Sequence, residues 1–283
     1  MAINFCKFHG FGNDYVVIER NEIGEGVSLP DLAMAICRRN TGVGGDGIAV
    51  LEKRDGMSAD YFCEIVNPDG SFAEFSGNGT RCAVAYLHYR NIWAEKRLRL
   101  KTRSGIKTYD LIEQKESREF WFEAEIGRPG FSSDEVPVLT DTRRDAVVSE
   151  PINIANRAFA FSAVNVGNPV ACVFVDNFDF DWRAIGREME TNEKFPKRAN
   201  IVFVKIADRE NIEIRIWERG AGETSASGTC ASGAAVLSAF LLKTGRKVSV
   251  HSEGGVTEIL WRDDDEIVIK GRADFAFCGE WPS

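Results

Sequence analysis

Two serines stand in nearly the same sequence context, 151 residues apart, in this chain of 283 residues. Ser76-Gly77-Asn78 and Ser227-Gly228-Thr229 each open a segment of small and apolar residues, which predicts a helix buried on most of its faces. A helix N-terminus offers unpaired backbone N–H groups and the positive end of the helix dipole, and both favour carboxylates. Two such loops across one cleft would hold a carboxylate and present a hydroxyl group to either face of the neighbouring carbon. A proton-in, proton-out reaction at a stereocentre requires this arrangement, although serine is also a common N-cap with only a structural role.

The two serine loops belong to an internal repeat. Four landmarks recur in the same order at offsets between 151 and 155 residues. A period of about 150 residues is too long for a solenoid, so it predicts two similar domains related by a pseudo-twofold axis. Coincidental Gly-Asn turns are the alternative interpretation. The paired landmarks are Gly12-Asn13-Asp14 with Gly167-Asn168-Pro169, Asp46-Gly47-Ile48 with Ala199-Asn200-Ile201, Tyr61–Val66 with 212–217, and Ser76-Gly77-Asn78 with Ser227-Gly228-Thr229.

The elements that must position these loops are mostly strands. Short runs rich in Val, Ile, Phe and Tyr dominate the chain. Residues 32–39, 78–88 and 229–242 have helical character. Because helices and strands do not alternate regularly, the predicted fold class is α+β rather than doubly wound α/β. The cluster Gly127-Arg128-Pro129-Gly130 breaks both patterns near the midpoint and is the predicted domain linker.

Composition excludes several classes of protein. A net charge of −8 argues against binding nucleic acid or anionic membrane surfaces, because both need a basic surface. No apolar run is long enough to cross a bilayer, and the N-terminus lacks the pattern of a signal peptide. The seven cysteines are odd in number and form no C-x-x-C pair, so we expect free thiols and a reducing cytoplasm. The three histidines are scattered, which predicts no metal site.

Two common motifs fit this sequence less well. Residues 42–47 satisfy the glycine pattern of a dinucleotide site, but they follow a predicted helix and precede a strand, the reverse of what that site needs. A serine hydrolase would need a histidine near an exposed serine, and the chain has no G-x-S-x-G turn. The paired serine loops therefore carry the functional interpretation.

Long motifs along the chain resemble those of the diaminopimelate epimerase family. They occur in the family's order and cover almost the whole chain. The motifs are His9-Gly10-Phe11-Gly12-Asn13-Asp14, Thr41-Gly42-Val43-Gly44-Gly45-Asp46-Gly47, Asn67-Pro68-Asp69-Gly70-Ser71, Ser76-Gly77-Asn78-Gly79-Thr80-Arg81-Cys82, Val166-Gly167-Asn168-Pro169, Phe195-Pro196-Lys197-Arg198-Ala199-Asn200 and Glu218-Arg219-Gly220-Ala221-Gly222-Glu223-Thr224.

This resemblance implies a cofactor-independent isomerase of lysine and peptidoglycan precursor synthesis. The enzyme would epimerise diaminopimelate or a related amino acid by two-base proton transfer in a cleft between two domains. The implied fold is two pseudo-symmetric α+β domains, each a curved, mostly antiparallel sheet wrapped round a central helix. We expect domains at 1–127, completed by a short returning strand at 272–283, and at 128–271. The expected partner is a small-molecule amino acid, without nucleic acid, membrane or metal, and a homodimer is compatible with this picture.

The resemblance also implies roles for individual residues. Ser76 and Ser227 stand at the acid–base positions, and Glu218 would polarise that pair. Arg219 supplies the planar fork of donors that carboxylates favour. The distal carboxylate and amine of the substrate are expected on Asn67, Asn168, Asn200 and Arg219, the reacting α-carboxylate on Gly77, Asn78, Gly228 and Thr229, and the cleft lining at Asn13.

The chain departs from the family pattern at its most important positions. The family has cysteines where this chain has Ser76 and Ser227, a histidine in place of Val170, and a glycine in place of Cys230. A thiol titrates near pKa 8.5 and lower at a helix N-terminus, whereas an alcohol is a far weaker acid. Each pKa unit of mismatch costs about 1.4 kcal/mol, so the serines need an acidic helper or a substrate with a more acidic C–H bond. The candidate helpers are Glu218, Glu223, Glu74 and Asp69.

Three functions are compatible with these departures. The first is an epimerase or racemase that uses the two serines. The second is a diverged isomerase or dehydratase of the same fold with a glutamate base. The third is a protein that binds an amino acid without turning it over. Cys230 could also be a displaced catalytic thiol, but three helical residues turn it about 300° from Ser227, which favours a packed helix position.

Overall fold

The computed structural model describes residues 2–54, 56, 58–116 and 118–282. The chain forms two compact units, one made of Met1–Glu125 with Lys270–Ser283 and the other of Ile126–Ile269. The outermost residues of the predicted first domain, Met1 and Ser283, lie outside the described residues. Among the helices of those residues, none has the length and apolar character needed to cross a membrane.

The first unit is a mostly antiparallel sheet with two helices. Strand β1 runs antiparallel to β2, β2 parallel to β3, β3 antiparallel to β4, β4 antiparallel to β5 and parallel to β6, and β6 and β8 lie antiparallel on either side of β7. These elements are β1 (Ala2–Gly10), β2 (Asn13–Glu19), α1 (Leu29–Ile36), β3 (Gly47–Lys53), β4 (Tyr61–Val66), β5 (Phe72–Ala73), α2 (Gly77–Tyr89), β6 (Arg97–Thr102), β7 (Gly105–Lys115) and β8 (Glu119–Gly127).

The second unit repeats this order of pairing. Its elements are β9 (Val147–Ile154), β10 (Arg157–Asn165), β11 (Pro169–Phe174), α3 (Trp182–Glu190), β12 (Asn200–Ile206), β13 (Asn211–Glu218), β14 (Gly222–Glu223), α4 (Gly228–Phe240), β15 (Lys247–Ser252) and β16 (Gly255–Trp261). Strand β10 is antiparallel to β9 and β11, β11 is parallel to β12, β12 is antiparallel to β13, β13 is antiparallel to β14 and parallel to β15, and β15 is antiparallel to β16. The predicted α+β class with two similarly built domains is confirmed.

Each sheet packs on one central helix. Helix α2 contacts β1 to β4, and α4 contacts β10 to β13 together with β15 and β16. Every residue from 77 to 88 and from 228 to 239 is buried, which explains why both segments are small and apolar nearly all round. Ser76 and Ser227 are the N-caps of these helices, and each side chain accepts a hydrogen bond from the backbone N–H three residues later. The two predicted buried helices are therefore confirmed.

A shorter helix covers further apolar surface of each unit, and here sequence reasoning was less accurate. Helix α1 was expected at 32–39 but spans Leu29–Ile36, because Ser28 caps it and Pro30 fits its first turn. Helix α3 was not predicted, since its composition is polar and only one stripe is apolar. That stripe, Trp182, Ile185 and Met189, packs into the core of the second unit.

The last strand, β17 (Ile267–Pro282), returns to the first unit and pairs antiparallel with β1. It is 16 residues long and begins at Ile267, in the second unit, whereas the returning strand was expected from 272. In this pairing Cys6 lies opposite Cys278, and the two form a disulfide bond. The expectation of free thiols is therefore wrong for this pair, because only the fold brings together residues 272 positions apart. The other five cysteines are free and buried.

Candidate active site

Ser76 lies in extended conformation directly before α2, as its capping role requires. Its Oγ accepts a hydrogen bond from the backbone N–H of Gly79 at 3.1 Å. The same Oγ lies 2.9 Å from the phenol oxygen of Tyr15, and either hydroxyl can donate in this pair. Within the described residues, no carboxylate is hydrogen-bonded to the Ser76 hydroxyl. The first-unit serine therefore has a phenol, and not a carboxylate, as its side-chain partner.

Tyr15, in β2, packs its ring against two glycines, and its phenol oxygen contacts Ser76. A Cβ atom at Gly47 or Gly79 would come within 2.9 Å of the Tyr15 ring, so both positions must lack a side chain for the ring to lie there. Sequence reasoning missed this contact. A signal was present, because Tyr15 follows Asn13 by two residues and alternate residues of a strand share a face.

Asn13 and Asn78 are held by a chain of hydrogen bonds inside the first unit. Asn13 Nδ2 donates to Asp46 Oδ2 at 2.7 Å, and Asn78 Nδ2 donates to Asn13 Oδ1 at 3.2 Å. Arg81 Nη1 in turn donates to Asn78 Oδ1 at 2.8 Å. Arg81 is 1% exposed, and burial lowers the pKa of its guanidinium. These contacts fix the orientation of both amide groups.

Asn67 occupies the turn after β4 and does not bond to the Ser76 loop among the described residues. Its Nδ2 donates to Ser71 Oγ at 2.9 Å, and Ser71 Oγ donates to Asp69 Oδ1 at 2.6 Å. The Asp69 carboxylate therefore serves the turn, and Glu74 is exposed to solvent. Neither of these candidate helpers hydrogen-bonds Ser76 in the described part of the chain.

In the second unit, Ser227 does contact a carboxylate. Its Oγ donates to Glu218 Oε2 at 3.0 Å, and Thr224 Oγ1 donates to Glu218 Oε1 at 2.7 Å. Ser227 Oγ also lies 3.4 Å from Thr229 Oγ1. The fourth candidate helper, Glu223, is instead paired with Arg183. A hydroxyl bonded to a carboxylate can accept a proton from carbon as it passes its own proton to the acid, the usual way of activating a weak nucleophile or base.

Three of the predicted substrate-binding residues lie together beside Glu218. Arg219 Nη2 donates to Asn168 Oδ1 at 2.9 Å, and the backbone N–H of Arg219 donates to Asn200 Oδ1 at 2.9 Å. Arg219 Nη1 donates to the carbonyl of Lys197 at 3.2 Å, and Asn200 Nδ2 donates to the carbonyl of Pro169 at 3.1 Å. These bonds hold the guanidinium and both amides in one fixed polar group.

Glu190, at the end of α3, anchors the segment that carries Glu218 and Arg219. It is buried, and its carboxylate accepts hydrogen bonds from Trp217 Nε1 and from the backbone N–H of Gly220, both at 2.9 Å. The two flanking residues are thus tied to one carboxylate. Sequence reasoning did not find Glu190, because α3 itself was not predicted and the contact spans 27 to 30 residues.

The two remaining departures from the family pattern are apolar packing features. Val170 is fully buried, and a Cβ at Gly233 of α4 would lie 2.8 Å from it. Cys230 is also fully buried, and burial raises the pKa of its thiol well above the ordinary value, against the opposing effect of hydrogen bonds to Ser227 and Thr229. A thiol of this kind is protonated at neutral pH, which favours a packed helix residue over a displaced catalytic base.

Solved structures of other proteins share this fold. A probable proline racemase from Agrobacterium radiobacter K84 matches with a TM-score of 0.73 at 14% identity, over 98% of this chain and 92% of that chain. A phenazine biosynthesis protein from Bacillus anthracis matches with a TM-score of 0.66 at 16% identity, over the whole of both chains. Identities this low show the fold alone. With two similar units and a capped serine at the start of each central helix, this chain has the fold of these proteins.

Sequence comparison identifies the family. The pattern of the diaminopimelate epimerase family matches residues 5–129 and 162–276. The diaminopimelate epimerase of Caldanaerobacter subterraneus subsp. tengcongensis is 36% identical over 280 residues, which cover 98% of this chain and 99% of that protein. The diaminopimelate epimerase of Pelotomaculum thermopropionicum is also 36% identical, over 99% of each chain. The chain therefore belongs to the diaminopimelate epimerase family, as its motifs predicted.

Proposed function

We propose that this protein epimerises diaminopimelate, or a closely related amino acid with a distal carboxylate and amine, without a cofactor. Ser76 and Ser227 exchange the α-proton as a two-base pair from the two units. The observation that carries this proposal is the 3.0 Å hydrogen bond from Ser227 Oγ to Glu218 Oε2. This contact supplies the proton acceptor that an alcohol needs when it replaces a thiol.

On the second-unit face, Ser227 is the base. Its oxygen takes the α-proton while its own proton passes to Glu218, so the C–H bonding electrons stay on the α-carbon and spread into the carboxylate. The hydrogen bond from Thr224 holds the Glu218 carboxylate in place. The α-carboxylate lies on the helix N-termini at Gly77-Asn78 and Gly228-Thr229, whose N–H groups and dipoles stabilise the growing charge.

On the first-unit face, the Ser76 hydroxyl delivers a proton to the opposite side of the same carbon. The rest of the substrate is held by Arg219 with Asn168 and Asn200, and by Asn67. The bonded group around Arg219 supports this assignment, because a guanidinium fixed by neighbours presents its remaining donors to a carboxylate with little loss of entropy.

Solvent exchange tests the proposal. The purified protein is incubated with LL-diaminopimelate in deuterated water, and both stereoisomers are separated and analysed for α-deuterium. We expect conversion to the meso isomer with deuterium at the inverted carbon. Absence of α-deuterium from both isomers would reject the proposal, and calorimetric binding without exchange would identify a protein that binds an amino acid and does not turn it over.

A second candidate function uses Glu218 itself as the base, in a different isomerisation or an elimination. The contact of Oε2 with the Ser227 hydroxyl favours it, because a substrate that displaces this hydroxyl would meet the carboxylate directly. Ser227→Ala and Glu218→Gln distinguish the two functions. Loss of activity in both variants supports the serine pair, whereas activity that survives Ser227→Ala and is lost in Glu218→Gln supports the glutamate base.

A further inference from the structure

We propose that Tyr15 is the proton-relay residue of the first unit, positioned to supply and remove protons through Ser76 as Glu218 does through Ser227. This inference rests on the proposed function and adds a residue to it. Its basis is the 2.9 Å hydrogen bond between the Tyr15 phenol and Ser76 Oγ, which gives this serine a titratable side-chain partner. The two serines are then chemically different, one backed by a phenol and the other by a carboxylate.

Close packing of the Tyr15 ring fixes its contact with Ser76. Tyr15 is 5% exposed, and its ring lies against Gly47 at the start of β3 and Gly79 in the first turn of α2. A Cβ at either glycine would come within 2.9 Å of the ring. The ring therefore fits only because both positions lack a side chain. The Gly79 N–H also donates to Ser76 Oγ, so the same turn fixes both members of the pair.

The internal repeat shows that the side-chain partners of the two serines occupy non-equivalent positions in the two units. Tyr15 pairs with Gly47, the first residue of β3, and Val170 pairs with Asn200, the first residue of β12, so Tyr15 and Val170 occupy equivalent positions. Val170 is apolar and packs against α4. Glu218 follows Trp217 at the end of β13, where the first unit has Asn67 after β4. Ser76 thus has a phenol partner and Ser227 a carboxylate partner, at non-equivalent positions of the two units.

The proposed step is balanced as follows. As the Ser76 O–H bond breaks and its proton joins the α-carbon, the Tyr15 O–H bond breaks and its proton joins Ser76 Oγ. The negative charge of the carbanion ends on the phenol oxygen. In the reverse direction the phenolate recovers a proton from Ser76 as Ser76 removes the α-proton. Phenols titrate near pKa 10 and carboxylates near 4.3, so at neutral pH a phenol serves as the acid and a carboxylate as the base.

The experiment compares Tyr15→Phe with wild-type protein in the epimerisation assay. The substitution removes one oxygen and keeps the ring between its glycines. We expect kcat to fall about 10²-fold, within the usual range for general acid–base groups, with KM unchanged within about twofold. Tyr86→Phe is the matched control. It removes the hydroxyl of a different tyrosine, one in α2 whose partner is Glu19, so kcat should be unchanged. Thermal unfolding of both variants checks the fold.

A second measurement separates proton relay from mere packing. Fluorotyrosine placed at position 15 has the shape of tyrosine with a lower phenol pKa. Relay predicts that the alkaline limb of the kcat profile moves to lower pH by the same amount as the pKa of the phenol. Active Tyr15→Phe protein with wild-type kcat, or an alkaline limb that does not move, would overturn the inference while leaving the proposed function intact. Wild-type protein without any α-proton exchange would remove the proposed function and this inference together.

Discussion

The two serine loops have the same local structure but different side-chain partners. Each serine caps a buried 13-residue helix, in sheets with the same order of strand pairing. Ser227 donates to Glu218, whereas Ser76 lies against Tyr15. The internal repeat gives both units this framework, which places a hydroxyl at the start of each central helix. The partner of each hydroxyl comes from a non-equivalent strand position, Tyr15 in β2 and Glu218 at the end of β13. In the proposed mechanism this partner decides whether the loop acts first as a base or as an acid.

The central helices also differ in how their first turns are filled. Gly79 in α2 leaves room for the Tyr15 ring, and at the equivalent place in α4 the chain has Cys230. The residue equivalent to Tyr15 is the smaller Val170. Val170 lies against Gly233, three residues further along α4, so the glycine that admits the facing side chain is at a different position in each helix.

The largest predicted effect comes from removing the carboxylate of the second unit. Glu218→Gln retains the shape of the side chain but cannot take the Ser227 proton, so we expect kcat to fall about 10³-fold, equivalent to about 4 kcal/mol. Steady-state kinetics measures this loss against that of Tyr15→Phe. A smaller loss in Glu218→Gln than in Tyr15→Phe would reverse the assignment of base and acid.

The next effect concerns stability and is confined to the first unit. The Cys6–Cys278 disulfide joins β1 to β17, whereas the second unit has Ser162 of β10 at the position equivalent to Cys6, so no disulfide can form there. Reduction, or Cys278→Ser, should lower the free energy of unfolding by about 2–5 kcal/mol. Thermal unfolding with and without dithiothreitol measures the change in the wild-type protein. The Cys278→Ser variant is the control and should not respond to the reductant. An unchanged transition in the reduced wild type would show that the disulfide does not stabilise the fold.

A moderate effect on substrate binding is predicted for a substitution of Arg219. Arg219→Lys keeps the charge but loses the fork that bonds Asn168 and the Lys197 carbonyl together. We expect KM to rise about 30-fold, or about 2 kcal/mol, with a much smaller change in kcat. Binding calorimetry with diaminopimelate checks this split directly. A loss confined to kcat would place Arg219 in proton transfer and not in substrate binding.

The smallest effect tests the difference at Cys230. Burial raises the pKa of this thiol well above its ordinary value, so we expect it to stay un-ionised at neutral pH and to take no part in proton transfer. Cys230→Ala should keep kcat within about twofold of wild type, given that general acid–base residues contribute 10²-fold or more. Iodoacetamide should label the native protein slowly at this position, as followed by mass spectrometry. Rapid labelling with loss of activity would make Cys230 the displaced thiol after all.

Sequence reasoning located the framework of the site better than its partners. The serines and the helices they cap follow local rules of capping and patterning, and the repeat made them visible twice. The contact of Tyr15 with Ser76 depends on how β2 packs against α2. The disulfide between Cys6 and Cys278 depends on a strand that returns from the far end of the chain. Such contacts join residues distant in sequence. The spacing of Asn13 and Tyr15 indicates only that they share a face of the strand and does not identify Ser76 as the partner.

The position of the two serine hydroxyls about a bound substrate is the most direct test of the account. A crystal structure with diaminopimelate, or an unreactive analogue of it, would show which atoms face the α-carbon. If the serines are the acid–base pair, Ser76 Oγ lies on one face of the α-carbon and Ser227 Oγ on the other. Each is then about 3–3.5 Å from that carbon, as a near-attack geometry requires. An α-carbon with one serine remote from it, or with Glu218 Oε2 in direct contact instead of Ser227, would contradict the serine pair.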